Sequence, residues 1–362
     1  MSLHERKNEI LWINTLKGFC ILLVVLHHAV ITTLIPSIDH LSAGQLPAKI
    51  WVLFNQVVSP LRMPAFFFVS GLLAANAISK KKWADIFTKK VSNLIYLYIL
   101  WGVIQWFFIK LVISAISGIQ LSDAENSAYS VTPSEFITLL LMAKTSLWYL
   151  YALAGYFVIA KLFQRVKYLL LILAVAFNYA AALGIIPGWG MVSLSQNMIF
   201  FLIGAFLSDL LTQASEVNKK NILLWIGLAV LGLINIKLGI GKNIFVCLLA
   251  IISAIIICRI LNNHFNMAWL NWVGKNTLQI YVIHRIIIEG IGVTALGVGV
   301  ESGMFKNNHL SLIWSITFPA FAVAFCTVSS LIIWTLCNRG VGKSLFAYPS
   351  IIKKDEVRSL EK

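Results

Sequence analysis

Residues 243–261 read NIFVCLLAIISAIIICRIL, nineteen positions with a single charge, Arg259, near the far end. A helix crossing the hydrocarbon core of a bilayer needs about 20 predominantly apolar residues, and this stretch supplies one. Working outward, comparable apolar runs lie at 11–35, 50–79, 91–118, 138–162, 168–186, 192–211, 221–240, 276–298 and 310–337. The joints between them carry breakers: Pro36 and Pro47, Pro133, Pro187-Gly188, and Gly239 with Gly241. The chain has 362 residues, 59% of them hydrophobic and 12% charged. Its mean hydropathy is +0.85. A soluble domain carries about 25% charge, so this composition excludes a soluble enzyme, a disordered chain and a secreted disulfide scaffold. The predicted fold is all-α: a polytopic transmembrane helical bundle of about ten spans. It occupies residues 1–340, followed by a basic cytoplasmic tail at 341–362. Two runs are less regular. Lys144 interrupts 138–162, whose strongest part begins at Leu147. The short joint at 239–242 also fits a re-entrant break, in which 221–261 does not cross twice.

The net charge of +15 would suit nucleic acid, but the placement of the charges argues for topology instead. Lys and Arg collect in cytoplasmic loops. With the N-terminus inside, the inner segments hold twenty basic residues. These are Arg6, Lys7, Lys80–Lys82, Lys89, Lys90, Lys161, Arg165, Lys167, Lys219, Lys220, Arg259, Lys275, and six in the tail. The outer segments hold four, Lys49, Lys237, Lys242 and Lys306, and the 119–134 loop has Asp123 and Glu125 without any Lys or Arg. Both termini are therefore expected in the cytoplasm. The clusters Lys80–Lys82 and Lys89–Lys90 also suit an anionic cytosolic cofactor or lipid headgroups. The N-terminal run resembles a signal peptide superficially. It contains His27 and His28 and lacks a small-residue cleavage site, so it reads as a retained first span. Cys20, Cys247, Cys258, Cys326 and Cys337 all lie in apolar stretches without CxxC spacing and read as small buried hydrophobes. No metal is expected from that pattern. GxxxxGK[ST], HExxH and GxSxG are all missing from the sequence.

Five basic residues fall inside the apolar runs: Lys17, Arg62, Lys110, Lys144 and Arg285. A charge near the bilayer centre costs on the order of 2.5–3.5 kcal/mol on insertion scales, so a retained one usually faces a cavity or a partner. Lys110 and Lys144 lie close enough to span ends to snorkel. Arg62, between Pro60 and Pro64 in the second span, cannot. His27, His28 and His284 also lie inside spans. Lys17 and His28 are eleven residues apart, close to three helical turns, on one face and about 16 Å apart along the axis. His27 points about 100° away and reads as structural. Imidazole accepts a proton near neutral pH, and fixed Lys and Arg charges hold an anion such as a phosphate. This set suits group transfer from a phosphate-bearing cytosolic donor. It equally suits a proton-coupled transporter or flippase of a sugar-lipid or anionic substrate, although no internal repeat of the kind transporters often show is visible.

Four segments carry a resemblance. Asn14-Thr15-Leu16-Lys17-Gly18 leads through an aliphatic run to His27-His28. Arg62-Met63-Pro64-Ala65-Phe66-Phe67-Phe68-Val69-Ser70-Gly71 forms a second signature, and Leu147-Trp148-Tyr149-Leu150 a third. Gly274-Lys275-Asn276-Thr277-Leu278 followed by Tyr281-Val282-Ile283-His284 is the fourth. Together, and in this order, they resemble the acyltransferase-3 family of integral membrane acyltransferases over nearly the whole chain. In the first segment the family's acidic residue is Asn14. At the start of the third span its Arg and Pro are missing, with Asn93 in the Arg position, which leaves Lys89 and Lys90 as the donor contacts. The chain ends about 25 residues after the last run, as in short, stand-alone O-acetyltransferase members.

The resemblance implies a multi-pass protein of the bacterial cytoplasmic (inner) membrane. Such a protein would move an acetyl group from acetyl-CoA to a hydroxyl of a cell-surface glycan or its lipid-linked precursor. The expected partners are thus the lipid bilayer, acetyl-CoA and the glycan acceptor, and no nucleic acid. By the same resemblance His28 acts as general base or carries the acyl group, while Lys17 and Arg62 hold donor groups and stabilise the oxyanion. Trp148, Tyr149, Tyr281, His284 and Arg285 are the candidate substrate-lining residues. Arg285 is expected to pair with Glu289 at i, i+4.

Overall fold

The computed structural model describes residues 3–113 and 125–349. Asp123 and the tail residues Lys353, Lys354, Arg358 and Lys362 lie outside the described residues. Among those described, every regular element is helical. The main helices are α1 (Leu3–Ala29), α2 (Gln45–Val57), α3 (Ser59–Lys80), α4 (Ser92–Trp106), α5 (Pro133–Leu141), α6 (Trp148–Leu162) and α7 (Lys167–Ala182). They continue with α8 (Trp189–Phe206), α9 (Lys219–Lys237), α10 (Ile244–His264), α11 (Ala268–Lys275), α12 (Thr277–Glu301) and α13 (Asn308–Cys337).

Nine helical segments among the described residues are long and apolar enough to cross a membrane, and α6 is a shorter apolar helix. The polytopic all-α expectation therefore holds. The stretch around Gly239 separates two full-length candidates, α9 and α10, each long enough to cross by itself. The run drawn as 138–162 is not one helix. Thr132 caps the start of α5, its side chain accepting from the Glu135 N–H. The chain then turns at Ala143, which takes a positive φ of 55°, before α6 begins.

The chain divides into two compact units that interleave along the sequence. The first comprises Met1–Cys20, Ser59–Leu94 and Tyr149–Thr277; the second comprises Ile21–Val58, Ile95–Trp148 and Leu278–Lys362.

In the first unit α3 packs closely on α8. A Cβ at Gly71 would collide with the Phe201 carbonyl, and one at Gly204 with the Phe68 carbonyl. Lipid tails are as apolar as Leu, so association in a bilayer relies on such close van der Waals approach through small residues. Gly18 and Gly274 play the same part between α1 and α11, meeting the carbonyls of Leu270 and Asn14. Beside them Thr15, Asn262 and Asn271 close a ring of hydrogen bonds. Thr15 donates to Asn271 (2.9 Å), Asn271 to Asn262 (3.0 Å) and Asn262 to Thr15 (2.7 Å). Lys161, expected as a topogenic inner charge, is buried and donates to the carbonyls of Ile78 (2.7 Å) and Lys81 (2.9 Å) at the end of α3.

In the second unit α13 packs on α2, with Trp51 donating to the Ile316 carbonyl at 3.1 Å. Gly292 of α12 faces Thr33, in the π-helical turn Val30–Leu34 that continues α1. The segment before α5 is tied down by Trp106, which donates to the Ser130 carbonyl at 3.0 Å. Lys144 does not snorkel as expected. It is buried and ion-paired with Glu125, because the turn at 143 places it inside the connection instead of at a span end.

Candidate functional site

The second unit gathers a polar cluster in an otherwise apolar interior. α12 contributes His284, Arg285 and Glu289, which are 0%, 5% and 2% exposed. The i, i+4 spacing of Arg285 and Glu289 stacks them on one helix face, and they form the expected ion pair. Arg285 Nη2 also donates to the Tyr129 hydroxyl, and Tyr129 donates to Glu289 Oε1. Burial, against the opposing pull of Arg285, pushes the Tyr129 phenol above its ordinary range, so it stays protonated and able to donate. The three side chains thus close a triangle that neutralises the guanidinium where water cannot.

The other guanidinium nitrogen turns to the end of α1. Arg285 Nη1 reaches His28 Nδ1 at 2.8 Å and donates to Thr32 Oγ1 at 3.2 Å. His28 and Thr32 are four residues apart, so one helix face presents both. The π-helical turn at 30–34 begins immediately beyond His28, and such turns recur at functional sites. The half-buried His28 ring lies 5.2 Å from the His284 ring between centroids. His284 Nδ1 is held by the Tyr281 carbonyl at 2.8 Å, with the Ile280 carbonyl at 3.1 Å. Its Nε2 is buried with no hydrogen-bond partner among the described residues. Tyr281 donates to the Ser146 carbonyl (2.7 Å), Ser146 to Gln105 Oε1 (2.7 Å), and Gln105 to the Val282 carbonyl (3.0 Å). These bonds fix the wall behind the histidines. His27, whose ring centroid is also 5.2 Å from that of His28, bonds through Nδ1 to Asn55 at 3.2 Å.

Of the candidate residues, His28, Trp148, Tyr281, His284 and Arg285 belong to the second unit, and the structure brings His28, Tyr281, His284 and Arg285 together. Lys17, Arg62, Lys89, Lys90 and Tyr149 belong to the first. There Arg62 is buried, Lys17 is half-buried and Lys89 and Lys90 are exposed, Lys89 lying 3.9 Å from Asp85. Tyr149 shares a 2.6 Å hydrogen bond with Ser70 and packs on Phe67, 4.8 Å between ring centroids. Sequence reasoning missed Tyr129, Thr32 and the Gln105–Ser146 link. Gln105 alone carried a signal, as a polar residue inside the apolar 91–118 run. Tyr129 sits in a connection with no local feature that points to Glu289, 160 positions away.

The sequence profile of a family described as an acyltransferase domain matches residues 10–337. The chain belongs to the acyltransferase-3 family. This membrane acyltransferase is also similar to the inner membrane protein YcfT of Escherichia coli strain K12. The two are 34% identical over 364 residues, covering 95% of this chain and 98% of the relative. No solved structure matches. Lys17 and His28, expected from the resemblance to act together, lie on the single continuous helix α1. The late Tyr-x-x-His element, Tyr281 to His284, lies in the wall of the His28 cluster.

Proposed function

We propose that this acyltransferase is an O-acetyltransferase of the inner membrane. It moves an acetyl group from acetyl-CoA to a hydroxyl of a cell-surface glycan or its lipid-linked precursor. Both termini lie in the cytoplasm, as the distribution of Lys and Arg favours. The observation that carries the reading is the meeting of His28 and His284 against Arg285 in a buried, otherwise apolar unit. Imidazoles move protons near neutral pH, and N–H groups fixed in a dry site stabilise the oxyanion of acyl transfer. Lys17, Arg62, Lys89 and Lys90 would serve the phosphates of the donor, with Arg62 and Lys17 also serving the developing negative charge. Trp148, Tyr149, Tyr281, His284 and Arg285 would contact the acceptor. The relative's description as an inner membrane protein supports the location.

The test is genetic and chemical. The gene is deleted and restored as wild type or His28→Ala, with expression checked by blot. Base-labile acetate on purified surface glycans is then measured by proton NMR and mass spectrometry. Loss of acetate on deletion, restored by wild type alone, is the expected result and names the acceptor. Glycans unchanged in acylation but reduced in amount would overturn the reading in favour of transport.

A further inference from the structure

The two histidines of the cluster are held through opposite partners. A guanidinium has only donors, so the His28 nitrogen that Arg285 reaches, Nδ1, must accept; the proton of the neutral ring is then on Nε2. A carbonyl only accepts, so His284 Nδ1 must carry its proton, and Nε2 of the neutral ring holds a lone pair. That lone pair has no partner among the described residues, in a ring that is 0% exposed. Buried polar atoms are nearly always satisfied, and an exception calls for a reason. Glu289 and Tyr129 hold the Arg285 guanidinium, so the tautomer of His28 is set by a chain of buried contacts instead of being left to choice.

We infer that His284, through Nε2, is the base of the reaction and that His28, through its Nε2–H, is the donor that holds the oxyanion. The assignment rests on the acyl-transfer reading above and deepens it. The step begins with the acceptor hydroxyl against His284 Nε2. Its O–H bond breaks as the proton passes to His284 Nε2, and the oxygen forms a bond to the thioester carbonyl carbon. The carbonyl π pair moves onto oxygen, where the His28 N–H meets it. When that pair returns, the C–S bond breaks and the departing thiolate takes the proton back from His284. The products are ester and free thiol, and both rings end as they began. Arg285, with Glu289 and Tyr129 behind it, is a positioning residue.

Two measurements test this on the full-length protein in lipid bilayers. Solid-state NMR of histidine labelled with heavy nitrogen reads which ring nitrogen carries the proton, with His28 assigned through its contact to Arg285. The expected result is Nε2–H for His28 and Nδ1–H for His284; the reverse at either ring overturns the inference, whether or not any variant folds. In parallel, native membrane vesicles receive labelled acetyl-CoA, and base-labile label is counted in the lipid and glycan fractions. His284→Gln and His284→Ala should both lose about 100-fold or more, the contribution of a general base. His28→Ala should lose about 100- to 1000-fold as an oxyanion donor, and His28→Gln, which keeps an N–H, should recover most of that. Full turnover in a folded His284→Gln protein overturns the inference. Wild-type vesicles that form no base-labile label would instead overturn the acyl-transfer reading itself.

Discussion

Glu289→Leu removes the counter-charge of a guanidinium that is only 5% exposed, and it leaves the Tyr129 hydroxyl without its acceptor. Breaking one side of a buried pair costs about 3–5 kcal/mol, because the remaining charge has no water to turn to. Replacing both partners by apolar residues of similar volume is often neutral. Arg285→Met combined with Glu289→Leu should therefore recover most of the loss, about 3 kcal/mol or more. The molecule carries its own reporter: Cys20, Cys247, Cys258 and Cys326 are free and buried, so a thiol-reactive fluorescent dye reads unfolding without added labels. At about 2 °C per kcal/mol, as for large domains, the single variant should melt about 6–10 °C below wild type. The double variant should melt close to wild type yet fail to transfer acetate, because His28 has lost the donor that sets its proton. A single variant that melts with wild type, or a double variant as unstable as the single, would refute the claim that this pair neutralises a buried charge.

Gly71→Leu should push α3 off α8, since even a Cβ there meets the Phe201 carbonyl. Overpacking of this kind costs about 1–3 kcal/mol, and the same dye assay should show it; an unchanged melt would mean the helices do not approach so closely. Lys161→Met removes both donations to the carbonyls ending α3. Hydrogen bonds to charged groups are worth about 1.5–3 kcal/mol each, so a clear loss of stability is expected, and none would show those bonds to be idle. Orientation can be read by cysteine labelling in intact cells with a membrane-impermeant maleimide. Lys306→Cys should label from outside, and Lys219→Cys only after lysis. The opposite pattern would invert the proposed topology.

The spans were legible because transfer of a helix into lipid depends on the local run of residues, and each run can be weighed without knowing its neighbours. The one run that misled, 138–162, did so where a three-dimensional pairing intervened: Lys144 meets Glu125, and the chain turns between them. Lys17, His28 and Arg62 were visible as charges and imidazoles in places where lipid disfavours them, and the Arg285–Glu289 pair followed from helical periodicity alone. The four motifs made the acyltransferase family readable as well, although Gly18, Gly71 and Gly274 proved to mark backbone contacts between helices.

What sequence could not supply was partnership across long separations. Tyr129 reaches Arg285 over 156 positions, and Arg285 reaches His28 over 257. No local pattern encodes such contacts, because packing the helices is what brings the groups within hydrogen-bonding distance. The hydrogen-bond partners of the two histidines belong to the same class. Residue type says only that each can give or take a proton; the neighbour on Nδ1, an arginine for one and a carbonyl for the other, decides which nitrogen is left with the lone pair.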